Sequence, residues 1–372
     1  MCPTAWRMND GVRLDEAGHR AVSGGHSSFA DRLILWQRKH GRLDLPWQNT
    51  RDPYRIWLSE VMLQQTQVAT ATPFYYRFLE RFPDVQSLAA ADREDVLALW
   101  SGLGYYSRAR NLHKAAVQVA ARGGFPAARE DLEALAGVGR STAAAISVFS
   151  AGRREAILDG NVKRVLARHF AIDGFPGASA VQKQMWALAE SLLPSAGIET
   201  YTQALMDLGA TVCQRAKPLC SRCPVRESCG AFATNRVNEL PGRKARKPLP
   251  RKTTVMPILL HQGKVMLVRR PESGIWGGMS SLPEFSTVAG ALDAISVMYG
   301  CEIGSQRELP VLRHGFTHYS LSIQPIVCEI TALHPRVTEP GTIWLPVARA
   351  LQASIPAPVR TLLLRIPADG VQ

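Results

Sequence analysis

Apolar residues recur at helical spacing over the first two thirds of the chain, and the pattern changes after that. Eight helices with short loops are predicted, each separated from the next by Gly, Pro or polar residues. They cover residues 31–41, 54–71, 93–102, 107–124, 128–137, 140–152, 161–170 and 199–213. The helix over 54–71 is predicted to end before Pro73. This part of the chain is therefore expected to be all-α.

After residue 252 the pattern is typical of strands. Residues 254–270 contain two apolar runs separated by a Gly-containing turn, which predicts a β-hairpin. A helix over 289–300 and strands over 308–313, 319–331 and 342–346 are predicted to follow. This order of elements indicates a smaller α+β domain.

The predicted organisation has four parts. Residues 1–28 form a flexible N-terminal extension, and residues 29–235 form the all-α domain. Residues 236–252 form a basic, Pro-rich linker, and residues 253–372 form the α+β domain. The linker is interpreted either as a solvated spacer or as a tether that binds phosphates.

Composition and charge add a class of partner. The chain has 372 residues, of which 46% are hydrophobic, so it is expected to form more than one folded domain. Its 44 Lys and Arg against 31 Asp and Glu give a net charge of +13, and six of the basic residues fall in residues 241–252. This excess of positive charge favours a polyanion as the binding partner. No apolar run is long enough to span a bilayer and no export signal is evident, so we expect a cytoplasmic protein that is not associated with a membrane.

Four of the seven cysteines lie close together, at Cys213, Cys220, Cys223 and Cys229. Four thiolates can surround one metal centre, and a chain without an export signal favours a metal over disulfides. Zinc and a four-iron cluster both accept four cysteines, so the spacing alone leaves both open.

A glycine-containing turn precedes the cysteines, in LAGVGRSTAAAI at residues 135–146. Gly137 and Gly139 flank Val138 and allow a tight turn between helices, with backbone N–H groups exposed at a helix start. Such a turn holds a phosphate without reading the base sequence. A Gly-x-Gly sequence between helices is also consistent with a simple turn.

Glu60 is a candidate catalytic acid. It shares a predicted helical stripe with Ile56, Leu63 and Gln67, so it is expected to lie among apolar neighbours. Burial there would raise its pKa and keep a proton available for donation. A surface or ion-paired glutamate is the structural alternative.

Asp159 is the second candidate carboxylate. It precedes a predicted helix in LDGNVKRV, residues 158–165. The Asp-Gly-Asn sequence is most simply a capping device, with Asn161 as the predicted cap. The functional interpretation has the Asp159 carboxylate beside the glycine turn, where it can stabilise a positive charge.

The order of these motifs resembles the endonuclease III superfamily of DNA glycosylases, with its helix-hairpin-helix and iron–sulfur loop. The endonuclease III branch of that superfamily has a nucleophilic lysine at the position where this chain has Ser141. A serine cannot form an imine. With SEVMLQQTQV at 59–68 and GLGYYSRARNLHKAA at 102–116, the chain resembles the MutY family of adenine DNA glycosylases over nearly its whole length.

The resemblance implies a mechanism. Adenine mispaired with 8-oxoguanine or guanine in double-stranded DNA would be flipped out and removed by a monomeric, monofunctional enzyme. Such an enzyme would be associated with the nucleoid. Glu60 would protonate N7 of adenine, and Asp159 would stabilise the oxocarbenium-like sugar or bond to it transiently. Asn161 and Ser141 would complete the catalytic group. One [4Fe-4S] cluster would be held by the four cysteines.

The resemblance also implies DNA and lesion contacts. The residues concerned are Leu63, Gln65, Thr66, Tyr105, Gly137, Val138, Gly139, Gln203, Phe316, Thr317 and His318. Leu63 and Tyr105 suit wedges that replace lost stacking, with core packing as the alternative. Residues 269–285 and 312–321 resemble a Nudix-like domain in which Phe316–His318 match the loop that reads 8-oxoguanine. The predicted helix 289–300 has one acid where hydrolytic Nudix domains need several, so binding without hydrolysis is expected.

Two other functions fit parts of the pattern. A bifunctional endonuclease III-like glycosylase and lyase for oxidised pyrimidines is opposed by Ser141 and by the second domain. A catalytically silent DNA-binding or iron–sulfur sensor protein would not need the acid role of Glu60.

Overall fold

The computed structural model describes residues 28–244, 248–272, 274–316, 318–334 and 341–366. The described residues form two compact units, one from residues 28–60 and 125–244 and one from residues 61–124 and those from 248 onward. Thr317, Arg246, Lys247 and residues 1–27 of the predicted extension lie outside the described ranges. The helical residues contribute to both units, and the four predicted domain boundaries stay predictions.

Among residues 28–244 the structure contains twelve α-helices, in agreement with the all-α prediction. They are α1 (Phe29–His40), α2 (Pro53–Leu63), α3 (Val68–Arg81), α4 (Val85–Ala90), α5 (Arg93–Trp100), α6 (Ser107–Ala121), α7 (Arg129–Glu133), α8 (Arg140–Ala151), α9 (Gly160–His169), α10 (Ser179–Ser191), α11 (Ile198–Asp207) and α12 (Gly230–Ala233). A π-helical turn, Leu208–Val212, continues α11. The sequence pattern misses α4 and α12, which are too short to show a period, and α10, which buries only Met185 and Ala189.

The prediction of one helix over residues 54–71 is wrong, because the chain forms α2 and α3 there. Gln65, between them, has a left-handed backbone with φ of 57°. Pro73 lies inside α3 and does not follow the end of a helix. The interruption is stabilised by Arg108, whose guanidinium binds carbonyl groups at the end of α2 that a continuous helix would use internally.

Helices α1, α8, α9 and α11 contribute to the core of the first unit. Helix α1 begins with a capping box, in which the Ser28 hydroxyl accepts a 3.1 Å hydrogen bond from the Asp31 N–H and the Asp31 carboxylate accepts one from the Ser28 N–H. Its buried face includes Leu33 and Ile34. This core holds α8 and α9, whose N-terminal ends carry three of the candidate catalytic residues, Ser141, Asp159 and Asn161.

A mixed sheet of seven strands forms the second part of the chain, which confirms the α+β prediction. The strands are β1 (Arg251–His261), β2 (Lys264–Arg269), β3 (Ser280–Ser281), β4 (Cys301–Glu308), β5 (Leu312–Gly315), β6 (Ser320–Leu333) and β7 (Thr342–Pro346). The order is β3-β2-β1-β6-β4, with β5 paired to β6 and β7 to β2. Strands β1 and β6 are parallel, and the other pairs are antiparallel. The helices are α13 (Val288–Tyr299), α14 (Val347–Ala350) and α15 (Ala357–Leu363).

The predicted hairpin is confirmed by β1 and β2. Gln262 and Gly263 form its turn with φ of 47° and 73°, the left-handed pair that a type I′ turn requires. The pattern does not predict β4, because this strand lies at an end of the sheet order and its mostly exposed residues do not alternate. The predicted strand 308–313 spans the end of β4 and the start of β5. Since β1 begins at Arg251, the last two residues of the predicted linker lie in the sheet.

None of the described helices is long and apolar enough to cross a membrane.

Candidate functional site

Glu60 lies one turn before the end of α2 and is partly exposed. Ile56 and Leu63 share its helical face as predicted, whereas Gln67 lies beyond the end of the helix, so that part of the predicted stripe is wrong. Burial, followed by the negative charge of Asp159, raises the pKa of Glu60 from 4.5 to about 8. At neutral pH the carboxyl keeps its proton and can donate it.

Asp159 is the N-cap residue of α9, so the prediction that Asn161 is the cap is wrong. The helix already begins at Gly160, and the Asp159 Oδ1 atom accepts a 2.8 Å hydrogen bond from the Val162 N–H. Burial raises the pKa of Asp159, while the N–H groups of Val162 and Asn161 and the charge of Arg164 oppose that rise. Donors and a nearby cation therefore partly offset the burial that opposes negative charge at Asp159, whereas both influences on Glu60 oppose its charge.

Ser141 lies in the first turn of α8 and binds the segment that leads to Asp159. Its Oγ atom accepts a 3.0 Å hydrogen bond from the Leu158 N–H. The hydroxyl thereby fixes the backbone beside Asp159 relative to α8. Because this side chain has no amine, the position offers no nucleophile for imine formation.

Asn161 lies in the first turn of α9 and packs against the π-helical turn. Its Oδ1 atom accepts a 2.8 Å hydrogen bond from Arg164. A Cβ atom on Gly209 would lie 2.6 Å from the Asn161 Cβ, so the close approach requires glycine. Arg164 also donates to the carbonyl oxygens of Gly209 and Cys213, at 2.7 and 2.8 Å. The start of α9 is therefore joined to the segment that carries the first cysteine.

Gln203 lies in α11 and donates a 2.8 Å hydrogen bond to Asp207. Asp207 is fully buried and also accepts hydrogen bonds from Gln37 and from the N–H and guanidinium of Arg42. Sequence analysis misses Asp207, because one acid in a helical pattern gives no sign of partners that are distant in the chain. The buried carboxylate orients the Gln203 amide, and DNA binding by Gln203 stays a prediction.

The predicted hairpin joins α7 and α8. Gly137 has φ of 75°, and both it and Gly139 are exposed, whereas Val138 is buried. Gly139 is the N-cap residue of α8. An exposed backbone beside a helix N-terminus is suited to hold a phosphate group.

In the second unit, Arg108 binds the two segments that are predicted to enter the base stack. Its buried guanidinium donates to six acceptors. These are the carbonyl oxygens of Val61 (3.0 Å), Met62 (2.8 Å), Gln64 (2.7 Å), Leu103 (3.2 Å) and Gly104 (3.1 Å) and the hydroxyl of Thr66 (3.1 Å). Burial lowers the pKa of Arg108 to about 10, so the group stays charged at neutral pH. Sequence analysis misses Arg108, because a basic residue in an amphipathic helix is normally interpreted as solvent-facing.

Gln65 and Tyr105 both have left-handed backbones, with φ of 57° and 50°. Both are exposed, Tyr105 by 43%, and the Arg108 cation lies 5.4 Å from the centre of the Tyr105 ring. Such conformations cost energy in residues other than glycine, and the hydrogen bonds of Arg108 to the preceding carbonyl groups stabilise them. Leu63, by contrast, is only partly exposed. Gln65 and Tyr105, which are predicted to contact the base stack, thus lie on a strained surface that the hydrogen bonds of Arg108 support.

Phe316 belongs to an aromatic cluster in the second unit. Its ring centre lies 4.6 Å from that of Tyr319, 4.7 Å from His314, 5.4 Å from Trp276 and 6.2 Å from His318. Sequence analysis does not identify Trp276, His314 or Tyr319, although all three lie in the motifs that resemble a Nudix-like domain. In α13 the only acid is Asp293, as the sequence indicates.

The four cysteines lie in one loop of the first unit, between the π-helical turn and α12. All are partly buried and free of disulfides. Burial raises the pKa of Cys223 to about 11, and burial followed by the charge of Cys213 raises that of Cys220. Thiolates so close together repel one another and ionise jointly only with a positive partner. In the described ranges no three His, Cys, Asp or Glu side chains are placed to share a single metal ion.

Arg168, near the end of α9, holds this loop and is 3% exposed. Its guanidinium donates to Cys213 Sγ at 3.4 Å and to the carbonyl oxygens of Gln214 and Leu240, at 2.7 and 2.9 Å. Asp159 and Arg168 therefore lie at opposite ends of one helix. Sequence analysis also misses Arg168, since its acceptors come from separate parts of the chain.

Comparison with known proteins covers both parts of the chain. Residues 58–191 match the HhH-GPD superfamily base excision DNA repair proteins, and residues 254–365 match the NUDIX domain. The adenine DNA glycosylase of Buchnera aphidicola subsp. Acyrthosiphon pisum is 34% identical over 338 residues, 90% of this chain and 96% of the relative. The Homo sapiens adenine DNA glycosylase is 33% identical over 394 residues, 86% of this chain and 70% of the relative. The structure of a thermostable thymine-DNA glycosylase superposes with a TM-score of 0.51 and 27% identity, over 55% of this chain and 95% of that one.

Proposed function

Since the chain belongs to the adenine DNA glycosylase family and is a DNA N-glycosylase of base excision repair, we propose that it removes adenine mispaired with 8-oxoguanine or guanine. The observation that carries the proposal is the pair Glu60 and Asp159, a neutral acid beside a carboxylate with donors of its own. The substrate is double-stranded DNA, and the enzyme acts as a monomer in the compartment that holds the chromosome.

The first step is extrusion of adenine from the stack, because a base within a duplex cannot be reached. Leu63, Gln65, Thr66 and Tyr105 take part in this step by filling the space that the base leaves. The rigid support that Arg108 gives to their backbones favours this role, since a wedge that yields cannot hold a duplex open.

Glu60 then donates its proton to N7 of adenine as the bond between C1′ and N9 breaks. The raised pKa of about 8 means that the donor is protonated at neutral pH. Adenine leaves with the bonding electron pair and the proton, and the sugar becomes oxocarbenium-like. Asp159 stabilises that cation electrostatically until water adds at C1′ and loses a proton, which replaces the proton that Glu60 donated. Ser141 holds the segment before Asp159 against α8, and Asn161 binds Arg164, which joins the start of α9 to the π-helical turn.

The reaction stops at base removal. Ser141 supplies a hydroxyl, already engaged with the Leu158 N–H, where an imine-forming enzyme needs an amine. This favours a monofunctional glycosylase over the bifunctional alternative.

Recognition of the base opposite adenine is assigned to Phe316, Thr317 and His318. The aromatic cluster around Phe316 supports this assignment, because stacked rings offer a rigid apolar surface for a base. The exposed glycine hairpin and Gln203 are proposed to hold the DNA backbone near the catalytic residues.

One [4Fe-4S] cluster is proposed on Cys213, Cys220, Cys223 and Cys229. The donor set fits such a cluster, because four mutually repelling thiolates require a strongly positive centre. When bound, the cluster would crosslink the loop. Zinc also accepts four thiolates, so iron and sulfide analysis of the purified protein tests the proposal, and a zinc-only protein would reject it.

The deciding experiment measures adenine release from duplexes that contain A:8-oxoguanine, A:G or A:C. We expect release from the first two, with strand cleavage only after added alkali. Efficient cleavage without alkali would support the bifunctional alternative. A protein that binds these duplexes and releases no base would instead be a silent DNA-binding protein.

A further inference from the structure

Five charged side chains of the second unit connect α5 and α6 to a short turn formed by Trp276, Gly277 and Gly278, here named the WGG turn, or to the segment before it. Arg110 of α6 donates a 3.1 Å hydrogen bond to the Gly277 carbonyl oxygen. The other four form two ion pairs between α5 and the segment leading into the turn. These are Arg93 with Glu272, at 2.6 Å, and Glu94 with Arg269.

The WGG turn has little conformational freedom. Trp276 is 7% exposed and has a left-handed backbone with φ of 56°. A Cβ atom on Gly277 would overlap the carbonyl oxygen of Glu272, and Gly278 has φ of 74°. The Gly278 N–H donates to the Pro271 carbonyl oxygen at 3.0 Å. Since a left-handed tryptophan is costly, the contacts to its neighbours must hold it.

The Trp276 ring lies beside Phe316, one of the residues proposed to read the base opposite adenine. Its centre is 5.4 Å from that of Phe316 and 6.0 Å from that of His314, and the Arg270 guanidinium lies 5.5 Å from it. A shift of the WGG turn would therefore move the support of Phe316.

Helix α6 is connected to both recognition surfaces of this unit. Arg108, in its first turn, binds the backbone next to Tyr105, and Arg110, two residues later, binds the WGG turn. One rigid helix thus fixes the position of Tyr105 relative to the WGG turn, whose Trp276 contacts Phe316.

We propose that Arg110 and Glu272 are specificity-determining positioning residues, which hold the WGG turn so that Phe316 stays in register with Tyr105. Neither side chain needs to touch DNA for this role. The inference rests on the proposed function, because it requires an enzyme that distinguishes 8-oxoguanine from guanine opposite adenine.

The test compares single-turnover rates of adenine release from A:8-oxoguanine and A:G duplexes. For Arg110→Ala we expect the ratio of the two rates to fall about tenfold, the effect of losing one charge-assisted hydrogen bond, with the A:G rate nearly unchanged. Glu272→Ala should lower the ratio in the same direction. It removes a negative charge, so weaker attraction for DNA cannot explain its effect. The double variant should lose less than the sum of the single effects, because both act on one turn.

Two further variants provide controls. Arg81→Ala removes an equal charge from a residue that pairs with Asp95 at 3.4 Å, and it should keep the wild-type ratio. Arg110→Lys retains a donor and should restore part of the ratio. An unchanged ratio in both Arg110→Ala and Glu272→Ala would overturn the inference, as would an equal fall of both rates. A wild-type enzyme that releases adenine from neither duplex would instead reject the proposed function.

Discussion

The first and second units hold their functional groups by different means. In the first, burial raises the pKa of both Glu60 and Asp159. In the second, Gln65, Tyr105 and Trp276 have left-handed backbones, and each has a neighbouring carbonyl group bound by an arginine of α6. The first unit controls the ionisation of its carboxyl groups, and the second unit controls the backbone conformation of its exposed surface.

The difference fits what each proposed task requires. Proton donation depends on the free energy of one ionisation, which a partly buried environment can change strongly. Recognition of a distorted duplex depends on exposed side chains that keep their positions when DNA binds. Hydrogen bonds to the backbone next to these residues therefore stabilise their strained conformations. Buried arginine suits that purpose, because its five donors can satisfy several carbonyl groups at once.

The largest expected effect tests charge control at Glu60. Glu60→Gln keeps the size of the side chain and removes the proton that it donates, so adenine release should fall by about 10²- to 10⁴-fold in single-turnover assays. The wild-type rate should decline as the pH rises through about 8, where Glu60 loses its proton. An unchanged rate in Glu60→Gln would remove Glu60 from the acid role.

The same residue makes a prediction about stability. The pKa of Glu60 is raised from 4.5 to about 8 in the folded protein. Its contribution to the free energy of unfolding is therefore fully present below pH 4.5 and is lost as the pH rises through about 8. Glu60→Gln has no such loss. Its melting temperature relative to wild type should therefore rise between pH 6 and pH 9, and a constant difference would contradict the raised pKa.

The next effect separates the catalytic and capping roles of Asp159. Asn is about as good an N-cap as Asp, so Asp159→Asn should retain the stability of α9. Loss of the negative charge should lower the rate of adenine release by about 10²- to 10³-fold. Asp159→Ala should lower both the stability of α9 and the rate of adenine release. A rate loss confined to Asp159→Ala would mean that capping alone matters.

Arg108 tests backbone support in the second unit. Arg108→Met removes the donors of six hydrogen bonds, so the free energy of unfolding should fall by about 3 kcal/mol, measured by urea denaturation. The exposed Arg81→Ala variant provides the control, because a half-exposed ion pair contributes about 0 to 1 kcal/mol. Equal effects of the two variants would show that Arg108 does not support the backbone between α2 and α3 and before Tyr105.

The smallest effect concerns the basic segment between the helical and sheet parts. Arg243 and Lys244 are exposed, and replacing both with Gln should lower the slope of log K against log salt by about 0.9 for each DNA phosphate that these residues neutralise. The ratio of rates on A:8-oxoguanine and A:G should not change, since binding to phosphates carries no base information. An unchanged slope would make this segment a plain spacer.

Local patterns in the sequence identify a large part of this architecture. The period of apolar residues predicts helices followed by strands, and the hairpin over β1 and β2 follows from its turn residues. The interruption between α2 and α3 cannot be read in this way, because residues 54–71 have good helical periodicity. Arg108, more than forty residues further on, decides it by binding the carbonyl groups of that segment. The cap of α9 is a finer error, since Asp159 and Asn161 are both good caps and the start of the helix selects between them.

The sequence by itself determines which chemical groups are present and in what order: an acid in an apolar stripe, an aspartate at a helix start, a serine without an amine, and four cysteines. Those depend on residue type and spacing, which are local properties. Only the tertiary structure decides that Glu60 is a neutral acid near Asp159, that Asp207 orients Gln203, and that Arg108, Arg110 and Arg168 bind backbone segments. The physical reason is that burial and hydrogen-bond partners come from residues distant in the chain, so no local pattern records them.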